Sequence, residues 1–469
     1  MLGITCLGAL LAALNTSTLV IALPDLLRSL HISVLDVTWV LLSYILAQTA
    51  AVLTVGRLGD IWGRKRLFVA GAALFTLMSL ASGFATAAWL LIALRVGAGV
   101  ASAMVAANSS AIVTDAFPRR ELGLALGLNM MVLAVGSAIG PVLGGWLTEF
   151  GWQWVFWFNV PLGVVATLAS LRALQEPRLP RRRPRVDWGG NVTAVIALTG
   201  LLLALSAGGI LGWGHPLVIG GALGFVAFAP LFFWLEMHIP EPLLDLSLFR
   251  NRIFSIGNFT QGINGTARMG LLFLLVFYFQ GPEQFRPVTA GLLVTPLAGF
   301  MFLASPLSGW MSDRIGSRVP STAGLVLTGI GLGGLALSVG DTGMRYWLLA
   351  LWMGIAGAGA GIFQAPNSSS IMASVTPDKR GVAAGVRMLI AFTGSMISIA
   401  FVLAIVTSAL PQQVMLSIFS GVTTGLTRSQ IDPFINGMRI ALAVLAVLSL
   451  VTAPLSLLRG REVSRRAAF

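Results

Sequence analysis

Two arginines stand where arginine is costly. Arg95 lies inside the apolar run LIALRVGAGVASA (91–103), and Arg268 closes a polar stripe of Asn258, Gln261, Asn264 and Arg268 along another. A charge at the centre of a bilayer costs ~2.5–3.5 kcal/mol even on a lenient scale, so each must face a wet cavity or a partner. Other polar residues keep helical spacing: Asn15 with Thr18, Tyr44 with Gln48, and Gln364 with Asn367 each share a helix face. Guanidinium and amide groups on such faces suit a neutral or anionic amphiphile, with Met130, Met131, Trp157 and Phe259 as adaptable apolar lining. No Asp or Glu falls at mid-span to hold a cation or carry a proton. For any single Asn, Gln or Thr, interhelical hydrogen bonding explains the residue as well as ligand contact does.

The elements that position these residues are membrane spans. Hydrophobic residues make up 56% of the 469 and charged residues 10%. A span needs about 20 mainly apolar residues. Such runs fall near 3–23, 38–58, 66–85, 88–114, 122–147, 153–173, 188–207, 215–236, 253–280, 287–311, 319–339, 344–373, 380–409 and 434–459, fourteen in all. With the N-terminus inside, alternate loops carry Arg64–Arg66, Arg119–Arg120, RLPRRRPR (178–185), Arg250 and Arg252, Arg314 and Arg318, and Lys379–Arg380. The opposite loops hold little more than Arg28, Arg286, Arg345 and Arg428. This asymmetry predicts a multi-pass protein of the plasma (inner) membrane, of bacterial type, with both termini cytoplasmic. The net charge of +13 is dispersed in these clusters, which argues against nucleic acid as a partner. The run 178–185 reads as a solvated loop facing anionic lipid. Cys6 is the single cysteine, so no intramolecular disulfide forms, and no secretory leader pattern opens the chain.

The two halves echo each other. NSSAIVTDAFPRRELGLALG (108–127) recurs as NSSSIMASVTPDKRGVAAG (367–385), and GRLGDIWGRKR (56–66) as GWMSDRIGSR (309–318). Parallel repeats of helix bundles are a transporter architecture, with the substrate site near the midplane between repeats. In the 56–66 segment, Gly56, Gly59 and Gly63 allow a tight turn and close helix approach. Asp60 can sit at the N-terminus of a neighbouring helix, where an anion gains ~0.3–1 kcal/mol. Arg64 can then bridge Asp60 to Asp115, forming a conformational latch; the plainer reading is a segment that only sets topology. Gly136, Gly140, Gly144 and Gly145, with Pro141 among them, put a smooth strip along one helix for close packing.

These segments carry a specific resemblance. GRLGDIWGRKR resembles the loop signature between the second and third helices of the major facilitator superfamily, and GSAIGPVLGG (136–145) resembles the fifth-helix signature of its antiporters. WQWVFWFNVPLG (152–163), PLLDLSLFRNRIF (242–254) and FQGPEQFRPVTAGLLVTP (279–296) are similar to the fourteen-helix drug:proton antiporter family, and LNTSTLVIALP (14–24) and WVLLSYILA (39–47) fall where that family has its first two helix signatures. The resemblance implies an all-α membrane protein with the major facilitator fold: an N-terminal six-helix bundle (1–174), a basic cytoplasmic loop (175–187), two linker helices with their connection (188–252) and a C-terminal six-helix bundle (253–469). It implies that Asp60 caps the thirteenth span near Gly381 and that the 136–145 strip is a dry sliding seam. It also implies an aspartate at position 15, the protonatable coupling group opposed by Arg95, but the residue here is Asn15.

An asparagine accepts a hydrogen bond from arginine but exchanges no proton. Moving one charge through 100 mV is worth ~2.3 kcal/mol, and that gain needs a titratable group that alternates between sides. Three readings stay open: an amide standing in for a protonated acid in an engineered variant, coupling through Asp36 or another outer-side acid, and transport without proton coupling. The expected function is secondary export of a small hydrophobic or amphiphilic compound by alternating access, as a monomer. Lipid or lipid-precursor transport on the same fold is the alternative, and a non-transporting receptor or scaffold the distant one. No DxD or paired His–Asp set appears, and His31, His215 and His238 lie near loops, so no enzyme activity, metal or cofactor is expected.

Overall fold

In a computed structural model the described residues form fourteen helices long and apolar enough to cross a membrane. The structure describes residues 1–116, 122–174, 187–240, 242–340, 345–376, 379–408 and 410–460. The side chains at 60, 110–111, 114–116, 122–127, 130, 134, 313 and 380–381 lie outside the description. The spans are α1 (Leu2–Leu30), α2 (Val34–Trp62), α3 (Arg64–Ser82), α4 (Ala88–Ala116), α5 (Leu122–Thr148), α6 (Trp154–Ala173), α7 (Trp188–Leu211), α8 (Pro216–His238), α9 (Arg252–Gln280), α10 (Pro287–Leu293 continuing as Thr295–Ile315), α11 (Arg318–Ser338), α12 (Tyr346–Ala373), α13 (Arg380–Thr407) and α14 (Arg428–Leu457). All fourteen segments expected from hydropathy are found, and no strand occurs among the described residues.

Local chemistry sets the helix ends. Ser33 and Asp36 cap α2 reciprocally: the Asp36 backbone N–H donates to Ser33 Oγ at 3.1 Å, and the Ser33 backbone N–H donates to Asp36 Oδ2 at 3.1 Å. Thr427 and Gln430 do the same for α14. His215 precedes Pro216 at the start of α8, where a proline forfeits no helical hydrogen bond. Gly63 ends α2 at φ 107° and Gly316 ends α10 at φ 81°, a region L side chains avoid. These two glycines occupy matching places in the 56–66 and 309–318 segments, so the repeat seen in sequence is a repeat of turn geometry as well.

The chain divides into two units: Met1–Leu244 with Val276–Leu292 and Gln412–Gly425, and Asp245–Leu275 with Leu293–Pro411 and Leu426–Phe469. In the first, α1 packs on α5, α2 and α3 on α4, α7 on α8, and α2 on α7. Specific contacts bring the later segments into it: Gln280 donates to the Ile21 carbonyl at 2.9 Å, and Thr423 donates to the Gly281 carbonyl at 3.1 Å. In the second, α10 and α11 pack on α12, and α11 and α13 on α14. A connection inside this unit is tied by Lys379, which donates to Asp245 Oδ2 at 2.8 Å. Burial pushes the Asp245 carboxyl up, but hydrogen bonds from Lys379 and Ser247 outweigh it and hold the group below its ordinary value.

Candidate functional site

In the first unit a polar knot joins α1, α2 and α4. Arg95 on α4 is 1% exposed. Its Nη1 donates to Asn15 Oδ1 at 2.6 Å, its Nε donates to the Val40 carbonyl at 3.2 Å, and its guanidinium lies 4.1 Å from the centre of the Tyr44 ring. The face of an aromatic ring attracts a cation, and more strongly when water is absent. Tyr44 and Gln48, one helical turn apart on α2, both donate to Ser102 Oγ at 2.9 Å. Gly99 lets α4 come this close, because a Cβ there would press on Ala47 at 2.9 Å. Of the two settings expected for Arg95, the structure supplies the partner: an amide oxygen, a backbone carbonyl and a ring. Its Nη2 is buried with no hydrogen-bond partner among the described residues. Thr18, placed on the Asn15 face by its spacing, donates instead to the Leu14 carbonyl of its own helix at 2.7 Å.

The second unit holds a second network. Asn367 Nδ2 donates to Gln261 Oε1 and to the Gly257 carbonyl, both at 3.1 Å, and Gln261 lies 3.5 Å from Gln364. Asn264 is 2% exposed, and its amide nitrogen has no partner among the described residues. Arg268, two positions past α9's midpoint, is exposed and makes no hydrogen bond or ion pair with the described residues. The α9 stripe thus runs from the hydrogen-bonded amide of Gln261, past the unpartnered nitrogen of Asn264, to the exposed Arg268. Phe259 and Met131 are exposed, and Trp157 donates to the Leu80 carbonyl at 3.3 Å.

The strip on α5 meets two segments. A Cβ at Gly136 would lie 2.9 Å from Ala13 of α1, one at Gly140 would overlap Ser17, and one at Gly144 would lie 2.6 Å from the Thr18 carbonyl oxygen. Gly145 faces Pro287, and Gly291 in turn faces Pro141, so the first turns of α10 lie backbone to backbone on α5. Pro141 sits inside α5 without ending it. Of the latch residues, Gly59 abuts Asn108 of α4, Gly56 lies near Ala107, and Gly63 makes the turn into α3, which begins at Arg64. The carboxyls of Asp60 and Asp115 lie outside the described side chains. Asp36 caps its helix, and Asp25 pairs with Arg28 at 3.3 Å, so both outer acids have structural partners.

Four contributors escape the sequence reading. Ser102 is the shared acceptor for Tyr44 and Gln48, and nothing in its spacing marks it. Arg387 is 8% exposed on α13, one turn before Ile390 and Ala391, which meet Gly262 and Gly265 of α9. Arg439, inside α14, donates to the Val339 carbonyl at 2.9 Å. Arg459, just past α14, is 2% exposed and donates to Thr260 Oγ1 at 2.8 Å. The cost of intramembrane charge that singles out Arg95 applies equally to Arg387 and Arg439 and could have found them.

Fourteen spans among the described residues, with repeats between the halves of the sequence and buried polar networks on several helices, are the architecture of a polytopic membrane transporter. The Major Facilitator Superfamily profile matches residues 5–398 and 254–468. Similar proteins include the riboflavin transporter RibZ of Clostridioides difficile (32% identical over 379 residues, 81% of each chain). The multidrug resistance protein Stp of Mycobacterium tuberculosis is 31% identical over 398 residues (84% of this chain, 73% of that one). The tetracenomycin C resistance and export protein of Streptomyces glaucescens is 31% identical over 385 residues (81% and 70%). A bacterial homologue of the human lysosomal transporter Spinster shares the fold, with a TM-score of 0.70 at 16% identity over 98% of this chain and 96% of that one. The chain belongs to the Major Facilitator Superfamily; it is a membrane transporter and not an enzyme.

Proposed function

We propose that this transporter exports hydrophobic or amphiphilic compounds by alternating access, favours neutral and anionic cargo, and has no proton-coupling acid on α1. The observation that carries the reading is the buried hydrogen bond of 2.6 Å from Arg95 to Asn15, a positive group held by an amide where a carboxylate would cancel it. The guanidinium-bearing Arg268 of the second unit is exposed and forms no ion pair with a described Asp or Glu. Cationic cargo gains nothing from an exposed guanidinium such as that of Arg268; a carboxylate, sulfonate or phosphate headgroup does, lipids included. The multidrug resistance and export proteins among the relatives support export of foreign compounds, within the fourteen-helix drug:proton antiporter type. In this reading the protein sits in a bacterial inner membrane with both termini cytoplasmic, the 56–66 segment is a latch, and the 136–145 strip is a seam against leakage.

Flux of paired anionic and cationic amphiphilic dyes in proteoliposomes tests this. Replacing the guanidinium removes a charge-assisted hydrogen bond worth ~1.5–3 kcal/mol, so Arg268→Ala should raise the half-saturation for the anionic dye about tenfold or more. The neutral analogue of the dye should be little affected. Equal loss for every dye would mark a folding defect, and a wild type that moves only the cationic dye would refute the cargo assignment.

A further inference from the structure

The described membrane helices contain one place where two buried acids face each other, and it lies outside the networks above. Asp187 precedes α7 and is 6% exposed; Glu236, in the last turn of α8, is 3% exposed. Each carboxyl uses one oxygen to accept a backbone N–H: Gly190 donates to Asp187 Oδ1 at 2.7 Å, and Leu244 donates to Glu236 Oε2 at 2.8 Å. The remaining oxygens, Asp187 Oδ2 and Glu236 Oε1, are both buried and without a donor. They converge on one spot, since a Cβ on Gly190 would collide with both at once. Two acceptor oxygens cannot bond each other, and two ionised carboxyls in such contact repel strongly. One proton between them resolves both problems.

We propose that Asp187 and Glu236 form a proton-binding site, one proton shared between the two carboxyls, that clasps the α7–α8 helix pair to α2. Asp187 is the N-cap of α7, and its Oδ1 accepts from the Gly190 backbone N–H. The pair then carries a single negative charge. Arg57 of α2 is the charged group that faces it from a neighbouring described helix, and its charge acts on Glu236. Arg57 also donates to the Pro242 carbonyl, in the segment that follows α8. Beside the pair, Asn191 of α7 donates to the Ala50 carbonyl at 2.7 Å and Thr54 Oγ1 at 2.6 Å, both on α2. Removing the proton leaves two adjacent carboxylates that repel each other, so the Asp187–Glu236 contact at the base of α7 and α8 weakens as pH rises. The site stands independently of the cargo proposed above.

Infrared difference spectroscopy of the purified protein in nanodiscs, scanned from neutral to alkaline pH, reads the proton directly. The wild type should show a protonated-carboxyl C=O band that shifts in D2O and disappears at alkaline pH, together with a falling thermal midpoint. In Glu236→Gln the amide N–H takes the proton's place towards Asp187, so folding is kept, the band is absent and the midpoint no longer falls over that range. Asp187→Asn should behave the same way. A wild-type band unchanged in both variants would overturn the proposal, as would failure of both conservative variants to fold. Stabilisation by sodium with no carboxyl band would assign the site to a metal cation and overturn it as well.

Discussion

At the residue scale the chemistry turns on Asn15. Its side-chain oxygen accepts from Arg95 as a carboxylate would, so the local geometry of a coupling pair is present without its titration. Asn15→Asp puts an ionisable group opposite a guanidinium that already points at it. The expected outcome is cargo accumulation that depends on an imposed proton gradient, with up to about fifty-fold available from 100 mV per coupled charge. The measurement is accumulation in proteoliposomes with and without the gradient. Identical accumulation in both would show that position 15 does not gate coupling. The Asn15–Arg95 pairing is legible in the sequence only through the family resemblance. Ser102 and Thr260 are not legible at all, because a helix crossing selects such partners and no spacing rule along one chain encodes the crossing.

At the element scale the spans are the most legible feature, because runs of about 20 apolar residues have few other uses. Close approach is legible too where glycines repeat every four residues, as at Gly136, Gly140 and Gly144. Which helix fills the groove is another matter: Ser17 of α1 and Pro287 of α10 come from distant stretches with no signal of their own. The contact predicts a sharp contrast between glycines. Gly140→Val forces a side chain onto Ser17 and should cost ~1–3 kcal/mol, as overpacking does. Gly220→Ala on α8 meets nothing within 4 Å and should leave stability unchanged or slightly raised. Unfolding midpoints of the two variants in detergent check the contrast; equal midpoints would mean that α1 and α5 are not in backbone contact.

At the scale of the whole molecule, the described residues hold an even number of candidate spans, which in the proposed topology puts the start of α1 and the end of α14 on one side of the membrane. In the proposed topology that side, which carries the arginine-rich loops, is the cytoplasm. Replacing Cys6 with alanine leaves a background free of thiols. In that background, Glu149→Cys, in the turn before α6, should react with a membrane-impermeant maleimide on intact cells, and Arg250→Cys, just before α9, only after permeabilisation. The opposite pattern would invert the topology.

The α7–α8 pair has a further consequence. Only 11% of the α8 apolar stretch is buried within the protein. Asp187 and Glu236 meet across the base of the pair, so the polypeptide leaves for this hairpin and returns from it at almost the same point. A hairpin with adjoining ends can be cut from this chain without reversing the direction of any later span. Such an appendage is free to diversify along its lipid-facing flank while the rest of the scaffold keeps its sequence.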